Sequence, residues 1–531
     1  MNNRIFRRHQ ILVMCLLLVA VNGCSAEPTT PIEEQDSGTT SGSGTYRIVD
    51  TGQTLCYANI TSITAPESGE PFFGQDAQYT ENSPSYQDNG DGTVTDLVTG
   101  LMWQQDPGDK MTISEATALV SGFGLACHSD WRLPTIKELY SLIRFDGTDP
   151  SGVIGNDTSG LVPFIDEVFV FAYGDPDAGE RIIDSQYLTS TMYVSTTMIG
   201  DETMFGVNFA DGRIKGYPVI DPLTHAAKNF FAMFVRGGSG YGVNSFSANG
   251  DSTIADQATG LMWMQYDSGH LDAGINGGMN WEDALSWAEN REHAGYGDWR
   301  LPTVKELQSI VDYSRSPATH GTAAIDPIFT SSAITDEEGG SDFAFYWSST
   351  THTNHLGEGA GAYVAFGTGY GYMEMPPDSG NYNFLDVHGA GCQRSDPKDG
   401  DPAAYPYGRG PQGDVIRIFN HVRLVRTVIE TSSVETPANQ PLIALQATPN
   451  PFNPLTTLSF VAPAAGQALI EIFDLRGRRH ASLVKQVMNA GEQSFVWRGE
   501  TASGRALPSG IYLARLQVGR SDSMTKITLV R

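Results

Sequence analysis

Several residue groups in this 531-residue chain have the types and spacing to do chemistry. Asp88-Asn89-Gly90-Asp91-Gly92 offers carboxylates to calcium, but an EF-hand-like loop takes oxygen ligands at alternate positions, and here positions 90 and 92 are glycines. A second occurrence, Ala248-Asn249-Gly250-Asp251-Ser252, lacks the leading Asp, so both read as tight turns. His352, His355 and Glu358 lie close together, yet Thr351, Thr353, Asn354 and Gly357 favour a loop over a helix that would align two imidazoles. A metal centre also needs further ligands and an outer shell that this stretch does not display, so no metal is expected. Trp103, Trp131, Trp263 and Trp299 could stack on sugar rings, but they recur regularly beside apolar neighbours, as core residues do. The remaining ligand-binding candidates are His388, Gln393, Arg394, Asp396, Arg409 and Arg417, set among many glycines. Their arginines are planar forks able to hold a carboxylate or sulfate at two points. The alternative is a surface loop stitched down by Arg–Asp pairs.

Enzyme signatures are missing. There is no Cys-x-x-Cys, no Gly-x-Ser-x-Gly elbow, no phosphate-binding loop and no dinucleotide fingerprint. The reading is therefore of a non-enzyme with no catalytic residues and no cofactor.

The elements that must position these residues come in duplicate. Trp131-Arg132-Leu133-Pro134-Thr135 returns as Trp299-Arg300-Leu301-Pro302-Thr303, each followed by a branched apolar residue and Lys-Glu-Leu. Proline disfavours helix in the residue before it. Thr135 to Glu138 and Thr303 to Glu306 then have capping-box spacing, in which the Thr side chain and the Glu carboxylate each satisfy an orphan amide. Ile136, Leu139 and Ile143 follow at helical spacing, as do Val304, Leu307, Ile310 and Val311. Each phrase thus predicts strand, abrupt turn and capped amphipathic helix. Upstream, Gly92-Thr93-Val94-Thr95-Asp96 with Thr99-Gly100-Leu101-Met102-Trp103 matches Ser252-Thr253-Ile254-Ala255-Asp256 with Thr259-Gly260-Leu261-Met262-Trp263, which predicts two β-hairpins. Short helices are expected between hairpin and phrase, capped at Thr112 and Asn280. Downstream, Tyr187 to Thr191 answers Tyr346 to Thr350, with Leu188 where the second copy has Trp347, and Val235-Arg236 answers Val425-Arg426. The repeat is far longer than a solenoid unit, so these are two whole domains.

The order of these elements resembles two tandem copies of the Lcl C-terminal domain family, named for collagen-like bacterial surface proteins. The resemblance covers most of residues 47 to 429. It implies an α+β fold of two tandem domains akin to C-type lectins, and binding of anionic glycans. The second copy carries an insertion, from Asp386-Val387-His388-Gly389-Ala390-Gly391 through Gln412-Gly413-Asp414. Arg-Leu-Pro-Thr-x-x-Glu also resembles a phrase in formylglycine-generating oxidases. Those use a pair of nearby cysteines late in the domain, where this chain has only Cys392.

After residue 445 the grammar changes. Pro449-Asn450-Pro451-Phe452-Asn453-Pro454 opens short alternating runs, Thr456 to Val461, Ala468 to Phe473, Ser494 to Trp497, Ile511 to Leu516 and Lys526 to Val530, which predict a small Ig-like β-sandwich. This stretch resembles the C-terminal sorting domain of type IX secretion substrates, which implies the secretion machinery as a partner. At the other end, Arg4, Arg7 and Arg8 precede an apolar run from Ile11 to Val21, the pattern of an export signal. Val21-Asn22-Gly23-Cys24 resembles a bacterial lipobox, which would place a lipid anchor on Cys24 in the outer membrane. Five cysteines leave Cys56 and Cys127 as a candidate disulfide in an oxidising envelope.

The expected organisation is a signal peptide (1–23), a disordered tether (24–46), a first domain (47–240), a second (241–429), a linker (430–444) and the C-terminal sandwich (445–531). The formal charge is −28. The signal carries +3 and residues 442–531 carry +5, leaving −36 on residues 24–441. Such a body does not attract nucleic acid or sulfated polysaccharide by its general field. The expected function is an exported cell-surface binding or adhesion protein recognising a glycan or another envelope or host ligand. The alternatives are a protein-interaction or structural surface module, or an oxidase-like enzyme.

Overall fold

The computed structural model describes residues 45–428 and 445–531, except 222–223, 463–465, 475–478, 489–490, 502–503 and 519–520. The signal peptide, Cys24, nearly all of the tether and the linker at 430–444 lie outside the described residues. The chain divides into two compact units, residues 1–429 and 430–531.

In the first unit the duplicated phrases form what their capping residues dictate. Helix α1 (Ile113–Val120) starts at Thr112, α2 (Ile136–Tyr140) at Thr135, α3 (Trp281–Glu289) at Asn280 and α4 (Val304–Ser309) at Thr303. The capping boxes of α1, α2 and α4 are complete in both directions. These helices are nonetheless short, none exceeding nine residues. Among the described residues strands make up 35% and helix 9%, so the α+β expectation is overturned and the protein is closer to all-β. The physical reason is that a cap starts a helix without prolonging it. What prolongs structure here is the period-two pattern of the intervening segments.

Each copy opens with the same antiparallel sheet. Tyr86–Asp88, Thr93–Asp96 and Met102–Gln104 are closed by the distant Val235–Arg236, as Phe246–Ala248, Thr253–Asp256 and Leu261–Met264 are by Val425–Thr427. The copies then merge. The strands are β1 (Gln186–Tyr187), β2 (Met192–Thr197), β3 (Asp201–Asn208) and β4 (Arg213–Pro218) from the first copy. The second contributes β5 (Phe345–Thr353), β6 (Gly359–Ala365), a hairpin of β7 (Tyr370–Glu374) and β8 (Tyr382–Asp386), and β9 (Gln393–Asp396). One sheet runs β5-β6-β9-β4-β3-β1, with β2 also on β3, and the copies join where Gln393 pairs Ile214.

One hydrophobic core spans both copies, taking Leu139, Ile143, Phe145 and Phe205 from the first and Leu307, Ile310, Tyr346 and Val364 from the second. Phe205 meets Tyr313 edge-on at 4.8 Å across the seam. The two lysines of the repeated Lys-Glu-Leu exchange partners. Lys137 Nζ donates to the carbonyl of Ser309 at 2.6 Å, and Lys305 Nζ donates to that of Ser141 at 2.9 Å. Burial lowers Lys137 to about 8 and Lys305 to about 7. Residues 47–82, expected in the first domain, bind the second copy. The Gln53 side chain bonds both the amide and the carbonyl of Thr351, and Asp76 accepts from Thr51 and Thr350.

The second unit holds two antiparallel sheets around one core that includes Leu458, Ile470, Trp497, Ala514 and Ile527. Four of the five runs read from its sequence lie wholly in strands, and the fifth passes its strand's end at Leu529 by one residue.

Candidate functional site

The seam and the insertion beside it hold the sequence-derived candidates. Strands β4 and β9 are paired, so alternation puts Arg213 and Lys215 on the same face as Arg394. Arg213 pairs Asp149 at 2.7 Å, Lys215 pairs Asp211 at 2.5 Å, and Arg394 pairs Asp414. Burial lowers Lys215 to about 8. His388 is buried with Nε2 2.6 Å from Asp414. Burial, with Arg394 and Lys215 nearby, holds its imidazole well below the usual range, hence neutral. Gln393 and Asp396 are buried. Asp396 accepts from the amides of Arg417 and Ile418, and burial raises its carboxyl to about 6. Arg417 pairs Glu337 through both Nε and Nη2 and lies over the Phe345 ring at 3.9 Å.

The structure therefore gathers His388 and Arg394 around Asp414 and leaves Arg417 elsewhere. Of the forks expected to grip an anion, Arg417 is held by Glu337, while Arg394 meets Asp414 through Nη2 and buries Nε and Nη1 without a partner among the described residues. Of the six candidates Arg409 alone is exposed, its guanidinium 4.4 Å from the Tyr405 ring and donating to the Tyr405 hydroxyl at 2.8 Å.

The other chemical candidates fall into structural places. Asp88 and Asp91 accept from the amides of Gly90 and Thr93 in a turn. His352 is buried, stacked on Phe164 at 5.2 Å with Nε2 2.8 Å from the Asp211 carbonyl. Trp103, Trp131, Trp263 and Trp299 are buried. Cys56 is a buried free thiol, so the expected Cys56–Cys127 disulfide is not formed. The reason is local: Cys56 lies in the segment that packs on the second copy, whereas Cys127 belongs to a turn of the first.

Sequence reasoning missed a surface next to these residues. In the β7–β8 hairpin, Tyr372 pairs Phe384 and Glu374 pairs Tyr382, so Tyr370, Tyr372, Tyr382 and Phe384 share one face. Tyr407 stacks on Tyr382 with centroids 3.9 Å apart and planes 10° off parallel, and it meets Tyr372 edge-on at 6.0 Å. Tyr382 is 40% and Tyr407 51% exposed. The loop carrying Tyr407 is stitched to the hairpin. Tyr372 N donates to the Gly413 carbonyl at 2.8 Å, and Arg409 and Asp414 exchange backbone bonds. Gly413 has φ 62°, and a Cβ there would lie 2.1 Å from the Tyr372 carbonyl oxygen, so only glycine fits. The signal available in sequence was the alternation Tyr370-x-Tyr372 and Tyr382-x-Phe384.

With this geometry in place the comparisons can be read. The Lcl C-terminal domain family matches residues 92–236 and 252–387. The chain belongs to that family. The first Lcl C-terminal domain is matched through its closing strand at Val235–Arg236, while the second match stops at residue 387, where the insertion begins. Tyr405, Tyr407 and Arg409 thus lie outside the matched part. No curated protein matches the chain. Among solved structures, FlgD from P. aeruginosa is 21% identical over 14% of this chain and 57% of its own, with TM-score 0.12. FlgD from Xanthomonas campestris is 26% identical over 16% and 60%, with TM-score 0.12. Latent PorU from Porphyromonas gingivalis is 14% identical over 32% and 18%, with TM-score 0.16. This chain spans less than two thirds of each of these structures, and at such TM-scores they carry no assignment.

Proposed function

We propose that this is an exported cell-surface binding protein, anchored through lipid on Cys24 or delivered by its C-terminal unit. On this reading the paired Lcl C-terminal domains form a rigid scaffold, and ligand is met on the second. The observation that carries the reading is the exposed aromatic surface built from Tyr382 and Tyr407, partly on an insertion that the first copy lacks. Rigid amphipathic rings left in water are what binding surfaces use as anchors, because they give large contact area at small entropic cost. Burial pushes the Cys392 thiol up to about 12, which argues against Cys392 as a thiolate nucleophile.

The test has two arms on the mature chain. Binding is scored on an array of glycans and on candidate surface proteins. Exposure on intact cells is scored by protease shaving, with fatty-acid labelling of native chain against Cys24→Ala. Specific binding together with shaving is expected. A chain that is protected on intact cells and binds neither class overturns the reading.

A further inference from the structure

The anionic ligand implied by the family fits this surface poorly. Arg417 is held by Glu337, Arg394 is buried against Asp414 with its Nε and Nη1 unpartnered but closed off from solvent, and the body between the signal and the C-terminal unit carries −36. Apart from Arg409, the charges beside the aromatic face are acidic, Glu337 among them being paired to Arg417. Burial, then Glu337, Glu338 and Asp336, raise the phenol of Tyr372, so that run borders the face on one side. A polyanion approaching here meets like charge. A cationic peptide meets Arg409, which already occupies the ring of Tyr405. What remains uncommitted is the ring surface of Tyr382 and Tyr407, with the exposed Arg409, held against Tyr405, two residues further along the chain.

Tyr382 and Tyr407 each give one face to the other, at 3.9 Å, and both stay about half exposed. Tyr372 braces Tyr407 edge-on, and the Gly413 and Asp414 backbone bonds hold the loop to the hairpin. The rings are therefore set before any ligand arrives, and little ordering entropy remains to be lost on binding. An uncharged pyranose ring matches this surface. Its axial C–H face lies flat on an aromatic face, and its equatorial hydroxyls reach donors and acceptors at the edge.

We propose that Tyr382 and Tyr407 form a stacking subsite for an uncharged hexopyranose unit of a polysaccharide, with Arg409 donating to its hydroxyls. This rests on the binding-protein reading above and names its ligand class. It also replaces the anionic glycan by a neutral one.

The experiment is affinity electrophoresis of the mature chain in gels containing a neutral polysaccharide (dextran or glucomannan), dextran sulfate or no polysaccharide. Binding of a fluorescent oligo-arginine is measured alongside. The native chain should be retarded by at least one neutral polymer. Tyr382→Ala and Tyr407→Ala should each weaken that retardation by about tenfold, the loss of one anchoring aromatic. Tyr407→Phe should keep it, and melting temperatures should not move, which separates lost binding from lost folding. Retardation unchanged in both alanine variants overturns the subsite while leaving a glycan-binding protein. Retention by dextran sulfate or binding of oligo-arginine, lost in Tyr382→Ala without retention by neutral polymer, overturns the ligand class. No retention by either neutral polymer, with binding to a surface protein on the array, overturns the inference and leaves the binding-protein reading standing.

Discussion

The two Lcl C-terminal domains of this chain are a comparison built into one molecule. Both use the same closing strand, but its approach differs: Phe230-Phe231-Ala232-Met233 in the first copy stands where Asn420-His421-Val422-Arg423 stands in the second. In the first, Phe231 and Met233 pack in the shared core. In the second, Arg423 is buried and donates to the carbonyls of Met264, Gln265 and Thr330. Nearby Asp267 accepts from Ser332 and Tyr346. Burial raises its carboxyl, but Arg423 and these hydrogen bonds outweigh that and hold it below the ordinary range. The equivalent Tyr187 hydroxyl has no partner among the described residues. One backbone therefore accepts either an apolar or an ionic interior, provided most donors of the buried charge are satisfied, Arg423 leaving only its Nε without a partner among the described residues. Surface follows the same lesson, since the aromatic face sits partly on an insertion that the shared scaffold does not require.

The largest test of this comparison is to cut it. Because Leu139, Phe205, Leu307 and Tyr346 share one core, residues 45–240 and 241–428 expressed separately should each lack a cooperative thermal transition. Each large apolar side chain exposed costs about 1.5–3 kcal/mol, which soon exceeds a domain's net stability. A sharp calorimetric transition from either half alone would show the copies to be independent.

A smaller effect should separate two equivalent ion pairs. Arg300–Glu306 is covered by Tyr79, whose ring lies 5.3 Å from the guanidinium, and the Arg300 side chain is 8% exposed. Arg132 in the matching Arg132–Glu138 pair is 29% exposed. Arg300→Ala should cost about 3–5 kcal/mol, the loss of one partner from a buried pair. Arg132→Ala should cost about 1–3 kcal/mol, because water already reaches that guanidinium although its partner Glu138 is 1% exposed. Equal losses in urea denaturation would mean that residues 46–82 do not shield the second pair.

The smallest effect is a pH dependence at the seam. Asp386 accepts from the Tyr193 hydroxyl of the first copy at 2.9 Å and from Gly389 N at 2.7 Å, and burial pushes its carboxyl up to about 7. Its folded value lies above the unfolded one near ~4. Its stabilising contribution is thus fully present below about pH 4 and is lost as pH rises through 7. The melting temperature of the native chain, compared with Asp386→Asn, should gain on acidification from pH 8 to 5. A difference that does not change with pH would mean that the carboxyl is not held protonated.

Local chemistry was legible in the sequence. Thr112, Thr135, Asn280 and Thr303 start their helices because capping needs only residues three apart. The hairpins, the duplication and the buried tryptophans follow from period and turn residues in the same way. The sequence by itself thus determined which segments turn, which pair and which faces are apolar. Tertiary structure alone decided that the two copies share a sheet at Ile214 and Gln393, that Lys137 and Lys305 exchange carbonyl partners, and that residues 46–82 cross to the second copy. It also decided that Arg394 is buried against Asp414 and Arg417 held by Glu337, while Tyr407 lands on Tyr382. The physical reason is range. Caps, turns and strand alternation are settled within a few residues, whereas the partner of a buried charge or an exposed ring is set by which distant surfaces the packed core brings together.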